Sequence, residues 1–214
     1  QCWPDLEVWV HERGAPHLVD PTKLLASAGR LYGDDMERLW GQVVPVPERN
    51  LRVLRGGETI DGWRVAYTPG HASHHVSYLH EATGTAFPGD VAGVRIPPDG
   101  PVLAPTPPPD IDLEAWARSI DTLAAWRPER LAVTHFGVWE DPEAQLAELR
   151  EALDRQVAWA RELPDPAAFG KRVRSWLRSR TGEDTFAVYE AAAASDHLYP
   201  GLERALRRVS SPQA

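Results

Sequence analysis

Apolar residues fall in short runs through the first half of the chain and at helical spacing through the second. Leu6 to Val10 reads as a buried strand that ends in a loop at His11-Glu12-Arg13-Gly14. Asp20 before Pro21 predicts a helix start, with the Asp as cap and the Pro at the first helical position. That helix is expected to run through Ala28 and stop near Gly29, with a short second helix over 34–40. Leu51-Arg52-Val53-Leu54 is a short strand. Gly56-Gly57 and Asp61-Gly62 are turn signals around Glu58-Thr59-Ile60, and they lead into an alternating strand from Trp63 to Thr68. A strand from His75 to His80, a hairpin turn at Thr83-Gly84 and a returning Thr85-Ala86-Phe87 complete a meander.

Pro97 to Pro109 is too rich in proline for a helix or a central strand. It predicts either an ordered loop beside whatever Asp90 serves or a plain surface connection. Leu113, Trp116, Ile120 and Leu123 share one face of a helix over 112–126. A short buried strand follows from Arg130 to Thr134. Asp141-Pro142 repeats the cap-then-proline start for a helix from Glu143 to about Leu163, ended by Pro164 and Pro166. Helices over 169–180, 185–194 and 202–209 would form a helical tail, giving a main domain over 1–163 and an extension over 164–214 packed on it. Trp63, Trp116, Trp126 and Trp159 lie in periodic segments and are expected in the core. Trp139 is either packed or part of an apolar pocket wall.

Composition narrows the function classes. A chain of 214 residues supports one substantial core and is short for two independent domains. No run of eighteen apolar residues suggests a membrane span. A net charge of -8 disfavours a general nucleic-acid surface. The basic exception is Lys171, Arg172, Arg174, Arg178 and Arg180, read as a solvated helix face. The single cysteine, Cys2, excludes an internal disulfide and a Cys-rich zinc module, and fits a reducing cytoplasm. The start, Gln1-Cys2-Trp3-Pro4, carries neither an initiator Met nor a signal-peptide pattern, so an internal start is expected. A Gly-x-Ser-x-Gly elbow and a phosphate-cradling loop are both absent.

The chemistry sits in three places: Thr68-Pro69-Gly70-His71-Ala72-Ser73-His74-His75, Phe87-Pro88-Gly89-Asp90, and Leu131-Ala132-Val133-Thr134-His135-Phe136-Gly137. Each is an apolar strand segment running into a loop that begins with a His or an Asp. Neutral imidazoles suit zinc, and a carboxylate can bridge two cations about 3.5–4 Å apart. His71, Asp90 and His135 are therefore the candidate metal ligands, with Gly70 and Gly89 easing tight turns beside them. His11, His17, His74, His75 and His80 are possible additional donors. One of the adjacent pair His74-His75 must face away from the other. Ser73, Glu140 and Asp141 are candidate supports for ligating imidazoles, although Asp141 is already accounted for as a helix cap.

This ordered set resembles the later metal-ligand motifs of the metallo-beta-lactamase superfamily of hydrolases (glyoxalase II-like members included), with the best match between Thr59 and Gly137. The resemblance implies an α+β fold, an αββα-type sandwich, here without its N-terminal part and with a helical C-terminal tail. It implies that His71 is a ligand of the first of two metals, Asp90 the bridging carboxylate and His135 a ligand of the second. It also implies two divalent cations, zinc by preference, in the intact protein. The motif His-x-His-x-Asp-His that precedes these three in the superfamily is not in this chain. A fragment of an intact enzyme is expected, with an incomplete or single metal site, an exposed sheet surface and a possible homodimer across it.

The function so implied is hydrolysis of an ester-like small molecule (a thioester, lactone or related substrate) by a metal-bound hydroxide, inactive in the fragment. The alternatives are a catalytically silent interaction protein that keeps the fold, and a mononuclear binder using His71, Asp90 and His135. No nucleic acid or membrane partner is expected.

Overall fold

The computed structural model describes residues 3–107 and 110–210. Cys2, the first residue and the pair Pro108 and Pro109 lie outside the described residues. The chain forms two compact units, Gln1–Gly56 and Gly57–Ala214.

In the first unit, strand β1 (Val8–His11) pairs in parallel with β2 (Leu51–Leu54), with Val8 opposite Leu51 and His11 opposite Leu54. Parallel strands need a crossover, because a tight turn only reverses the chain. Three short helices provide it: α1 (Ala15–Val19), α2 (Thr22–Tyr32) and α3 (Met36–Trp40). Asp20 acts one position further out than expected, accepting from Thr22 N at 3.1 Å while Pro21 precedes the helix. The expected stop at Gly29 is not observed: α2 continues to Tyr32 and ends at Gly33, whose φ is 51°. One helical glycine costs only about 1 kcal/mol, too little to end the helix.

In the second unit, β3 (Thr59–Ile60), β4 (Trp63–Tyr67), β5 (Val76–His80), β6 (Thr85–Gly89), β7 (Arg130–Val133) and β8 (Val138–Trp139) form one sheet in chain order. Neighbours are antiparallel except β6 and β7, which are parallel and joined through helix α4 (Leu113–Ala125). Strand β8 has no sequence signal, since two residues cannot display alternation. The topology has one decisive consequence. β4 opposes β5, β5 opposes β6, and β6 is parallel to β7, so β4, β6 and β7 point the same way. The loops that leave them open on one edge of the sheet.

The core joins Leu79, Ala86, Leu131 and Val133 of the sheet to Trp116, Ile120 and Leu123 of α4. Helix α5 (Pro142–Glu162) adds Leu146, Leu149 and Leu153. Trp116 is fully buried, and its Nε1 donates to the Val91 carbonyl at 2.9 Å. Of the other tryptophans expected in the core, Trp126 is partly buried against it, Trp159 is partly buried against the second core described next, and Trp63 is half-buried. Helices α6 (Pro166–Arg178), α7 (Glu183–Ala192) and α8 (Ser195–Ser210) enclose a further core of Phe169, Val173, Leu177, Phe186, Tyr189 and Leu198 against Val94, Ile96 and Leu103. Helix α8 starts earlier than the pattern predicts and tolerates Pro200 inside it. Three members of the basic run form ion pairs on a partly exposed helix face: Arg172 with Glu162, Arg174 with Asp196 and Arg178 with Glu183, at 3.3, 2.8 and 3.2 Å. Among the described residues no helix is long and apolar enough to cross a membrane.

The irregular chain from Ala92 to Thr106 is largely buried, so its backbone groups need partners. Buried glutamines of α5 supply them. Gln156 accepts from Ala104 N and donates to the Ala104 carbonyl, both at 2.9 Å. Gln145 donates to the Ala92 carbonyl at 2.8 Å. Substituting Gln156→Leu keeps the volume but strands both groups of Ala104, and should destabilise the protein by about 2–5 kcal/mol. Urea unfolding measures this; a loss below about 1 kcal/mol would mean that Ala104 finds other partners.

Candidate metal centre

Strand β4 delivers Thr68 to His71, β6 delivers Asp90, and β7 delivers Thr134 and His135 to the shared edge. His71 Nε2 lies 3.5 Å from Asp90 Oδ2, and His135 Nε2 lies 3.1 Å from Asp90 Oδ1. The three candidate residues are thus brought together, one imidazole to each carboxylate oxygen. Their side chains are 15%, 25% and 30% exposed for His71, Asp90 and His135.

The tautomer of His71 can be assigned from its partner. Its Nδ1 is 3.0 Å from the Pro105 carbonyl, which can only accept, so Nδ1 carries the proton in the neutral ring. Nε2 then turns a lone pair towards Asp90. A lone pair facing a carboxylate repels it unless positive charge intervenes, as a cation or as a second proton on the ring. On the far side, Asp90 Oδ1 is buried without an aligned donor; His135 Nε2 is close enough to hydrogen-bond but lies off line. Burial raises the Asp90 pKa, but the nearby His135 and the charges of His71, His135 and His75 outweigh it, and the net direction is down. Imidazole and carboxylate are donor types that divalent cations take. Among the described residues, however, no three His, Cys, Asp or Glu side chains are grouped to hold one ion.

His75 also reaches the site, which the sequence offers as one option among five. His74, its neighbour, is exposed. A hydrogen-bonded chain settles the His75 tautomer: Ser77 Oγ donates to the Pro88 carbonyl at 3.3 Å, and Thr68 Oγ1 stands 2.8 Å from Ser77 Oγ and 3.1 Å from His75 Nδ1. With the Ser77 proton used on Pro88, Thr68 donates to Ser77 and accepts from His75, leaving Nε2 with the lone pair. Burial, then the charge of His71, lowers the His75 pKa to about 4 against the opposing pull of Asp90. His80 lies at the other end of β5, stacked on Trp63 at 4.6 Å. His11 and His17 belong to the first unit.

Two glycines are required here. Gly89 has φ 57°, and a Cβ on it would stand 2.3 Å from His75 Nε2. Gly70 has φ 138°, and a Cβ on it would meet the Trp116 backbone at 2.4 Å. That close approach docks the His71 loop on the start of α4, where Asp112 N donates to the Gly70 carbonyl at 2.9 Å and Ser119 Oγ to the Pro69 carbonyl at 2.6 Å.

The expected supporting groups are not the ones used. Ser73 donates to Asp110 at 2.7 Å, Glu140 lies 3.6 Å from Arg130, and Asp141 lies 3.6 Å from Arg95 without capping α5. The acceptor for His71 is a backbone carbonyl in the proline-rich segment, which no side-chain motif could reveal. Its described part, 97–107, is a loop beside the site: Pro105 holds His71, and Pro97 Cγ would lie 3.3 Å from a Cβ on Gly137. Trp139 is packed rather than lining a pocket, 9% exposed with the Arg95 guanidinium 3.9 Å above its ring. Phe136, directly after His135, takes φ 77° and is 50% exposed. Such a backbone costs a non-glycine residue about 1–3 kcal/mol.

A fold and a site of this kind define a class before they define a member. Residues 5–135 match the model of the metallo-beta-lactamase superfamily, and the chain belongs to that superfamily of hydrolases, with its α+β fold, mixed sheets and C-terminal helical region. The chain is 30% identical over 138 residues to a metallo-beta-lactamase fold-containing protein of Sulfurisphaera tokodaii, covering 63% of this chain and 51% of the relative. It thus spans about half the length of the curated relative it matches. Among solved structures, an archaeal metallo-beta-lactamase superfamily protein from Sulfolobus tokodaii aligns with a TM-score of 0.65 at 22% identity, over 92% of this chain and 70% of that one. A metallo-beta-lactamase family protein from Thermus thermophilus aligns with a TM-score of 0.64 at 20% identity, over 95% and 67%. These two likenesses show the fold.

The depressed His75 pKa carries a stability consequence. The folded state binds this proton less readily than the unfolded state, so the stability is complete above the ordinary histidine pKa of 6.5 and is lost as pH falls towards about 4. The loss approaches roughly 3 kcal/mol at the acid limit. Asp90 contributes with the same sign, but only below its ordinary value of 3.8. Urea unfolding between pH 7 and 4.5 should show the slope in the native protein and lose most of it in His75→Gln. An equal slope in both would show that His75 does not titrate as its surroundings require.

Proposed function

We propose that the chain acts as part of a metal-dependent hydrolase of ester-like small molecules, with His71, Asp90 and His135 holding a divalent cation, zinc by preference. The single observation that carries this reading is the His71 ring, whose assigned tautomer aims a lone pair at the Asp90 carboxylate, an arrangement suited to a cation. A bound cation supplies an acidified water and a counter-charge for the substrate oxygen. The protein's own groups do the positioning. The Pro105 carbonyl holds the His71 tautomer, Thr68 and Ser77 hold His75, and Gly89 leaves room for that ring. The net charge of -8 favours small neutral substrates over nucleic acid. A second reading, a silent protein that keeps the fold, is favoured by the lack of a three-residue metal group among the described residues.

The test is zinc content by elemental analysis, with turnover of thioester, lactone and aryl-ester panels on the same samples. Native protein should retain zinc after dialysis, and His71→Ala, Asp90→Asn and His135→Ala should each lose it. Turnover should fall by at least about 100-fold in each variant, since even groups behind the ligands are worth up to that much. A folded native protein that retains no zinc and turns over none of the panels overturns the metal-dependent reading of this chain and favours the silent one.

A further inference from the structure

We infer that a cavity between the irregular segment after β6 and helices α5 and α6 binds a small oxyanion, a carboxylate or a phosphate, through Arg155 and Arg180. The cavity has a volume of about 250 Å³, and His71, Asp90 and His135 take no part in its lining. Residues 99–102 form one wall, α5 a second through Arg155, and α6 a third through Trp176, with Arg180 two residues past its end. A third arginine in the lining, Arg95, is already committed. Its Nε donates to the Gly100 carbonyl at 3.1 Å and its Nη1 to Gln145 Oε1 at 3.2 Å. Arg155 and Arg180 meet the same ring instead: their guanidinium carbons lie 4.2 and 5.8 Å from the Trp176 centroid. Among the described residues neither forms an ion pair, although Arg172, Arg174 and Arg178 nearby all do.

Arg155 Nε is buried without a hydrogen-bond partner. Two other side-chain atoms share that condition among the described residues, Asp90 Oδ1 and Arg130 Nε, and each has an ionisable neighbour, His135 at 3.1 Å and Glu140 at 3.6 Å. Arg155 has none so close. Burial, and then the charge of Arg180, hold its pKa below the usual value against the pull of Glu151 and Glu148. Folding has thus gathered two like charges beside one ring, a repulsion that a bound anion removes. Stacking on an aromatic face leaves the in-plane donors of a guanidinium free, and their fork matches two oxygens of a carboxylate or phosphate. The carboxylates of the lining set the selectivity. Glu148 is occupied, accepting from Val102 N at 3.3 Å, while Asp99 and Glu151 are exposed. They balance the three arginines in number, so recognition depends on direct bonds to the guanidiniums rather than on a long-range field.

The experiment is calorimetric titration of the full chain, with no metal added, by acetate, succinate and inorganic phosphate in a low-chloride zwitterionic buffer. It is independent of the hydrolase reading, since it needs neither a cation at Asp90 nor turnover. Native protein should bind at least one of the three saturably, with a Kd of about 1 mM or tighter. Saturation by phosphate alone identifies a phosphate ligand, and saturation by acetate or succinate a carboxylate. Arg180→Gln alters an exposed side chain and should leave the fold intact while weakening binding by about tenfold or more. Arg155→Lys keeps the charge but loses the fork and should weaken it similarly. Glu151→Gln should tighten binding by at most about fivefold. Arg172→Gln, paired with Glu162 and outside the cavity lining, should bind as the native protein does. A native protein that saturates with none of the three overturns the inference. Undiminished binding in Arg180→Gln does the same, as does an equal loss in Arg172→Gln, which would mark a general effect of surface charge. If Arg155→Lys fails to fold, Arg180→Gln decides alone.

Discussion

A carboxylate withdrawn from water must be met by donors or by positive charge. Asp90 is the residue around which this requirement is organised. Its two oxygens face two imidazoles, and one oxygen is buried without an aligned donor. His71 cannot satisfy it while neutral, because its ring proton is committed to the Pro105 carbonyl. Nor is His75 positioned to do so, since its proton is committed to Thr68. Histidines that turn lone pairs inward beside a carboxylate leave its charge to be balanced by a proton on a ring or by a cation. The same geometry explains why the close packing around it is expensive to alter: Gly89 and Gly70 stand where a single added carbon would strike His75 or Trp116.

The sheet meets this requirement first through strand direction. β4, β6 and β7 run together, so three segments far apart in the chain open their loops at one edge. Helix α4 contributes twice, as the crossover that makes β6 and β7 parallel and as the platform under the His71 loop. Side chains placed at the ends of rigid strands are held more accurately than side chains in the middle of loops.

Much of this was legible in the residues, and the parts that were not share a physical reason. His71, Asp90 and His135 could be read because each follows an apolar strand and a turn residue, a pattern local in the chain. The strands of the meander could be read from alternation and from Gly and Asp-Gly turns. Gly29 misled because a helix former's neighbours outweigh one glycine, and Pro200 because packing of α8 against α6 outweighs one missing backbone bond. Asp141 misled because its capping role had a competitor in Arg95, forty-six positions away. The support of His71 by Pro105 is a long-range contact to a backbone atom, and no side-chain pattern encodes it. Phe136 carries no signal at all until its backbone angle is known.

The helical C-terminal region is tied to the site through the irregular segment between β6 and α4. Tyr189 of α7 accepts from Ile96 N at 3.2 Å and donates to the Pro101 carbonyl; burial raises its pKa to about 12, so it remains a donor at any ordinary pH. Thr106 donates to the Leu198 carbonyl at 2.9 Å, and Gln156 fixes Ala104. Pro105 lies between these last two anchors, and its carbonyl sets the His71 tautomer. The position of His71 at one sheet edge therefore depends on helices that stand outside the cluster of His71, Asp90 and His135. A proline-rich segment cannot stabilise itself through regular backbone pairing. Its conformation has to be imposed by buried side chains from α5 and α7 and by the backbone of α8, and that imposed conformation delivers the carbonyl to His71.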